Sequence, residues 1–124
     1  MKPVVIAAYV RSPFTIANRG ALAQVRADDL AAQVIAYKGF RNGGQSCSTV
    51  NRVYAHRSIH DELLEKLKAI AESMTLGDGI TDPTFDNGPM CTPEAREQVE
   101  AHVADAIDKG AILVCGGKRP DGEA

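Results

Sequence analysis

The residues best suited to chemistry lie in one short stretch, FRNGGQSC, at positions 40–47. A single cysteine, Cys47, follows two glycines, a glutamine and a serine. A cysteine thiolate is a strong nucleophile, and glycines let a substrate approach the backbone without meeting a Cβ atom. The stretch therefore predicts either a loop that presents Cys47 as a nucleophile or a flexible turn that ends in a buried thiol.

The other two cysteines, Cys91 and Cys115, lie far from this stretch. The three cysteines form no CxxC pair, and no histidine stands at metal-ligand spacing from them. An odd cysteine count argues against a disulfide framework, so we predict no metal site and a reducing, cytoplasmic setting. Cys115 ends an apolar run, where a thiol behaves as a small hydrophobic group. Cys91 and Cys115 are therefore predicted to be core or near-surface thiols.

Composition excludes several classes of partner. The chain has 124 residues, enough for one small domain, and a formal net charge of -2. Without a basic stripe it is a poor nucleic-acid binder. No apolar run reaches the roughly 18–20 residues that a membrane span needs, and the N-terminus is a poor signal peptide. We therefore expect a globular protein that binds neither nucleic acid nor membrane.

The elements that would position these residues alternate between strands and helices. Helices are predicted from near Ala27, after an N-cap at Ser58, and after an N-cap at Thr92 followed by Pro93. Strands are predicted at two apolar segments, Val4–Val10 and Ala111–Cys115, and at the short segment Asn51–His56. This order predicts an α/β fold.

Apolar spacing predicts which side chains of each helix face inward. On the first helix they are Leu30, Ala31, Val34 and Ile35. On the second they are Leu63, Leu64, Leu67, Ile70, Ala71 and Met74, with Glu62 and Lys66 paired on another face. On the third they are Ala95, Val99, Val103, Ala106 and Ile107.

From about residue 36 to the end, the sequence resembles the aldehyde dehydrogenase superfamily. Four blocks carry the resemblance in the family's order: FRNGGQSC, NRVYAHRSIHDELLEKL, LGDGITDPTFDNGPM and EAREQVEAHVADAIDKGAILVCGGKR. FRN and AHVADAIDKGA are most similar to the succinate-semialdehyde dehydrogenase branch. The resemblance implies that residues 36–124 are a partial aldehyde dehydrogenase catalytic domain.

Residues 1–35 are instead similar to the N-terminus of thiolases, the acetyl-CoA acetyltransferases. The segments RSPF and RADDLAAQVI carry this second resemblance, which implies a strand, a loop and a helix of thiolase type. The join would fall inside that helix. Two alternatives to an aldehyde dehydrogenase stay open, a thiolase fragment and a non-catalytic chimeric gene product.

The aldehyde dehydrogenase resemblance implies that Cys47 is the catalytic nucleophile. Its thiolate would attack an aldehyde carbonyl to form a thiohemiacetal, NAD or NADP would take the hydride, and water would hydrolyse the resulting thioester. The backbone N–H of Cys47 would donate to the oxyanion. Thr49 departs from the small residue or cysteine that the family usually has two places after the nucleophile.

The same resemblance implies a substrate-binding role for Arg41, six residues before Cys47. The semialdehyde branch has an arginine there that holds the substrate carboxylate, as a guanidinium does through two parallel hydrogen bonds. Arg41 would thus favour an acidic aldehyde such as succinate semialdehyde. The alternative is a solvated loop arginine.

The remaining catalytic groups of the family belong to segments that this sequence does not match. They are the general-base glutamate, the asparagine that is the second oxyanion donor, and the glycine-rich cofactor loop. The resemblance therefore implies a chain that is incomplete and inactive alone, with no cofactor-binding residue that can be named. A homo-oligomer is left open.

Overall fold

The computed structural model describes residues 19–20 and 23–120. Its regular elements are three α-helices, α1 (Ala27–Phe40), α2 (Arg57–Ser73) and α3 (Pro93–Asp108). A tight turn at Arg41–Gly44 follows α1 directly. No helix in these ranges is both long and apolar enough to cross a membrane.

The prediction of β-strands is wrong for the part of the chain that the structure describes. Residues 51–56 and 111–115 are neither helical nor in a ladder, and Leu76 and Asn87 form an isolated parallel bridge. A strand exists through hydrogen bonds to a neighbouring strand, and the described residues supply no such neighbour to either segment. The predicted strand Val4–Val10 lies outside the described residues.

Helix α1 begins at the predicted residue but runs further than expected. It passes through Gly39 and ends at Phe40, because one glycine costs a helix only about 1 kcal/mol. It also crosses the predicted join at residues 35 and 36 without a break. Its buried side chains are Ala32 and Ala36, whereas the larger apolar residues predicted to face inward are half-buried.

Helices α1 and α2 pack against each other, and their buried apolar side chains are Ala32, Ala36 and Leu63. Ala32 and Ala36 are one turn apart on the same face of α1. The predicted apolar face of α2 is confirmed, since its other members are all half-buried. Helix α2 begins earlier than predicted, because the His56 side chain caps it by accepting from the backbone N–H of Ser58.

An ion cluster joins the start of α1 to α2. Lys66 Nζ contacts a carboxylate oxygen of Asp28, lies 2.5 Å from Asp29 Oδ1 and pairs with Glu62 at 3.2 Å. Arg26 bridges Asp28 and Glu62 at 3.0 and 2.8 Å. Hydrogen bonds from Arg26 and then Lys66 hold the pKa of Asp28 well below its ordinary value of 3.8. The predicted pair of Glu62 and Lys66 is thus part of a larger network.

Helix α3 has the predicted ends but not the predicted packing. The Thr92 hydroxyl accepts from the Ala95 N–H at 3.1 Å, with Pro93 in the first helical position. At the other end Gly110, with φ of 90°, closes a Schellman turn. Within the described residues α3 packs on neither α1 nor α2, which leaves Val99 and Ile107 49% and 45% exposed.

We expect the variant Asp28→Asn to weaken the junction of α1 and α2. The pKa of Asp28 is lower in the folded chain than in the unfolded chain, so the ionised carboxylate stabilises the fold. This stabilisation is fully present above the ordinary pKa of 3.8, and it shrinks as the pH falls below that value. Urea titrations followed by far-UV circular dichroism should give Asp28→Asn a lower midpoint at neutral pH, with the difference closing in strong acid.

The matched control is Asp105→Asn, which removes an exposed ion pair at the end of α3, where Lys109 Nζ lies 2.6 Å from Asp105 Oδ2. Such surface pairs contribute little, so its midpoint should stay near that of the unaltered chain. A midpoint difference for Asp28→Asn that is unchanged from neutral to strongly acidic pH would contradict the prediction.

Candidate functional site

The loop that carries Cys47 begins with three consecutive residues of left-handed backbone. Asn42, Gly43 and Gly44 have φ of 56°, 61° and 76°. Asparagine tolerates this conformation better than other residues with a Cβ atom, and glycine adopts it without strain. Helix α1 has ended before this turn, because Arg41 already has non-helical backbone, with φ of -53° and ψ of 133°. The NGG part of FRNGGQSC then turns the chain toward Cys47.

Side chains of the loop close this turn on itself. Gln45 Nε2 donates to the Asn42 carbonyl at 3.0 Å, and Asn42 Nδ2 donates to the Gln45 carbonyl at 3.1 Å. Thr49 donates its hydroxyl to the Gly44 carbonyl at 3.0 Å and its N–H to the Ser46 carbonyl at 3.1 Å. Cys47 therefore lies between two residues, Gln45 and Thr49, that are both hydrogen-bonded to the loop backbone.

Cys47 itself is exposed at the tip of the loop. The backbone N–H groups of Ser46 and Ser48 are engaged, by the Gly44 carbonyl at 2.9 Å and by Ser46 Oγ at 3.4 Å. The Cys47 N–H, by contrast, has no partner among the described residues. The loop thus presents a thiol and an unpaired N–H donor on the same residue.

A second segment, residues 86–91, holds the loop from outside. Gly43 donates its N–H to Asn87 Oδ1 at 2.9 Å, and Cys91 donates its N–H to Gln45 Oε1 at 2.7 Å. Gln45 Nε2 also lies 3.4 Å from the Pro89 carbonyl. Each segment therefore gives one side-chain amide to the backbone of the other.

The 86–91 segment is in turn tied to the end of α2. Asp86 Oδ2 accepts from the Thr75 N–H at 2.8 Å and the Thr75 hydroxyl at 3.0 Å, and these bonds lower the pKa of Asp86. The Phe85 ring packs over Gly77, where the ring would have to move to admit a Cβ atom.

A cleft of about 510 Å³ lies beside the loop. Its lining is mostly polar and comes from α1, the Cys47 loop and the 86–91 segment: Tyr37, Lys38, Arg41, Asn42, Gln45, Ser46, Ser48, Asp86, Asn87 and Gly88. Both chain neighbours of Cys47 line it, although Cys47 itself does not. The cleft brings Arg41 and the cysteine loop to one surface.

Arg41 is held over an aromatic ring in this cleft. Its Nη1 donates to the Tyr37 hydroxyl at 3.2 Å, and its guanidinium carbon lies 5.6 Å from the centre of the Tyr37 ring. Among the described residues Arg41 pairs with no carboxylate. A guanidinium stacked on a ring keeps its outward N–H groups available to an anion.

The sequence predicts roles for Cys47 and Arg41, and these stay predictions, whereas the residues that hold them in place were not predicted. Cys91 is exposed, which fits a near-surface thiol, and Cys115 is half-buried. Tyr37 lies one helical turn before Arg41, a spacing that could have suggested the contact. No local signal points to Asn87, because its partner Gly43 is 44 residues away in the chain.

The sequence profile of the aldehyde dehydrogenase family matches residues 20–124. The chain belongs to the aldehyde dehydrogenase family. The succinate-semialdehyde dehydrogenase [NADP(+)] of Mycobacterium leprae is 39% identical over 121 residues, which are 98% of this chain and 25% of that protein.

Two further relatives match the region that contains the cysteine loop. The 3-sulfolactaldehyde dehydrogenase of Pseudomonas putida is 41% identical over 91 residues, or 73% of this chain and 18% of that protein. A crystal structure of betaine aldehyde dehydrogenase from Staphylococcus aureus with NAD+ has a TM-score of 0.74 and 30% identity, over 81% of this chain and 20% of that one. The chain spans a quarter or less of the curated relatives' length.

The aldehyde dehydrogenase match overlaps the segment for which we predicted a thiolase-like origin. The family profile begins at residue 20, whereas the predicted boundary lies between residues 35 and 36. The helix shared by both segments, α1, is continuous across that boundary. A thiolase-like origin of residues 1–35 stays a prediction.

The left-handed backbone of the loop makes Gly43 intolerant of a side chain. We expect Gly43→Ala to destabilise the loop by about 1–2 kcal/mol, the cost of a left-handed residue with a Cβ atom. Hydrogen–deuterium exchange of a peptide spanning residues 41–50 should therefore become faster. Gly79→Ala is the matched control, since a Cβ there meets nothing within 4 Å. An exchange rate in Gly43→Ala equal to that of the unaltered chain would contradict the prediction, because it would show that the turn accepts a Cβ atom without loss of stability.

Proposed function

We propose that this chain supplies two parts of an NAD- or NADP-dependent aldehyde dehydrogenase that acts on a small acidic aldehyde. They are the nucleophile and the binding site for the acidic group of the substrate. The observation that carries the proposal is the Cys47 loop, where an exposed thiol and an unpaired backbone N–H belong to one residue. Family membership and the position of Arg41 beside that loop support it.

The first chemical step needs only groups that this chain contains. The Cys47 thiolate would add to the aldehyde carbon, and the carbonyl π electrons would move to the oxygen. The Cys47 N–H would donate to the oxygen as it becomes negative. Protonation of that oxygen gives the thiohemiacetal, and this addition requires no oxidant.

Arg41 is the proposed partner of the substrate's acid group. It lines the cleft beside the cysteine loop, and Tyr37 restrains its guanidinium. The names of two relatives support an acidic substrate, since succinate semialdehyde carries a carboxylate and 3-sulfolactaldehyde carries a sulfonate. Either group can accept two parallel hydrogen bonds from a guanidinium. We propose succinate semialdehyde as the first substrate to test.

The cofactor proposal rests on the family. One relative is named for NADP+, and the Staphylococcus aureus structure contains NAD+. The loop glycines do not themselves point to a nicotinamide site, since the space beside Gly43 and Gly44 is taken by Gln45, Met90, Gly39 and Thr49. When bound, NAD or NADP would supply the hydride acceptor. We assign no residue of this chain to cofactor contacts.

A protection experiment tests both assigned residues. Succinate semialdehyde should slow the alkylation of Cys47 by iodoacetamide, measured by mass spectrometry of the cysteine peptides, because thiohemiacetal formation consumes the free thiol. Butanal has the same chain length without the carboxylate and should protect less. The Arg41→Met variant should need about tenfold more succinate semialdehyde for equal protection, as expected when a charged hydrogen bond is lost.

Arg41→Lys is the matched control, since it keeps the charge but not the two parallel donors, and it should give intermediate protection. Butanal protection should be equal in all three chains. The proposal fails for Cys47 if Cys115 is protected equally, and it fails for Arg41 if Arg41→Met leaves the preference for succinate semialdehyde intact.

A further inference from the structure

Asn87 is the buried polar residue of the described part of the chain, at 7% exposure. Its own backbone is fixed on both sides: its N–H donates to the Thr75 carbonyl at 3.2 Å, and its carbonyl accepts from the Gly77 N–H at 3.1 Å. Its side-chain Nδ2 lies 3.8 Å from the Met74 sulfur. Asn87 is thus held at the end of α2 by both of its backbone groups.

The remaining atom of this side chain, Oδ1, reaches the cysteine loop. It accepts the Gly43 N–H at 2.9 Å, at a residue whose left-handed backbone turns the chain. Because Asn87 is buried, leaving its Oδ1 without this donor would cost the desolvation energy of that oxygen. Asn87 therefore selects the loop conformation in which Gly43 faces residues 86–91.

The effect passes from Gly43 to Cys47 through a short series of contacts. Gly44 follows Gly43, and its carbonyl accepts both the Ser46 N–H at 2.9 Å and the Thr49 hydroxyl at 3.0 Å. Cys47 lies between these two bonded residues. The Ser46 carbonyl shares a peptide plane with the Cys47 N–H, and it accepts the Thr49 N–H at 3.1 Å. The bonds that follow Gly43 and Gly44 along the loop therefore reach the plane that carries the Cys47 N–H.

We propose that Asn87 is a positioning residue for the oxyanion donor of Cys47. It aims the Cys47 N–H by holding Gly43, and it touches neither substrate nor thiol. This inference rests on the proposed function of Cys47. It differs from a purely structural role because it affects reactions that develop an oxyanion more than reactions that do not.

Two reagents separate these roles. p-Nitrophenyl acetate acylates a thiolate through a tetrahedral oxyanion and releases p-nitrophenolate, whereas iodoacetamide alkylates the same thiolate by displacing iodide with no carbonyl oxyanion. In Asn87→Leu, which has similar volume and no acceptor, acylation of Cys47 should slow about tenfold, as for a misaligned oxyanion donor. Alkylation should change less than about twofold.

Two variants control for the shape of the site. Asn87→Asp keeps an oxygen at the Oδ1 position and should restore acylation to within about twofold of the unaltered chain. Asn51→Leu makes the same replacement at an exposed asparagine near Cys47 and should change neither rate. Circular dichroism checks each fold, and if Asn87→Leu loses helix, Asn87→Ala replaces it with the same expectation.

The outcomes separate this inference from the proposed function. Equal slowing of both reagents, or no slowing of acylation, overturns the role of Asn87. Acylation of Cys47 no faster than that of Cys115 in the unaltered chain overturns Cys47 as the nucleophile, and the inference fails with it. Selective loss of acylation in Asn87→Leu with recovery in Asn87→Asp supports both.

Discussion

The hydrogen bond from the Gly43 N–H to the buried Asn87 side chain is the contact on which the site depends. It joins a left-handed turn, which has no helical partner for its N–H groups, to a segment anchored at the end of α2. Gln45 completes the junction in the opposite direction by accepting the Cys91 N–H. Two side-chain amides thus replace the ladder of backbone hydrogen bonds that a sheet would provide.

Helix α1 connects this junction to the rest of the fold. Its first turn is bound to α2 through Lys66 and Asp28, and its last residue leads directly into the turn that presents Cys47. Arg41 and Tyr37 lie at that same end, one helical turn apart. The packing of α1 on α2 therefore sets the position of the cysteine loop and of Arg41, the proposed binding residue for the acidic group of the substrate.

The helices were largely predictable because their signals are local. Thr92 with Pro93 marks a helix start by its own chemistry, and Gly110 marks an end because it accepts left-handed backbone. The strands were not predictable in the same way, since an apolar segment such as residues 111–115 becomes a strand only when another strand pairs with it. Burial of an apolar helix face likewise requires another element that packs on it, and on α3 the side chains of Val99 and Ile107 stay exposed.

The sequence by itself determined the chemical type of the site, because FRNGGQSC contains the thiol, the glycines and the arginine within eight consecutive residues. It also determined the turn, since Asn42 and the two glycines are the residues that tolerate left-handed backbone. Only the tertiary structure decided what holds that turn. Asn87 is distant in sequence and looks like any loop asparagine until the chain folds and buries it against Gly43.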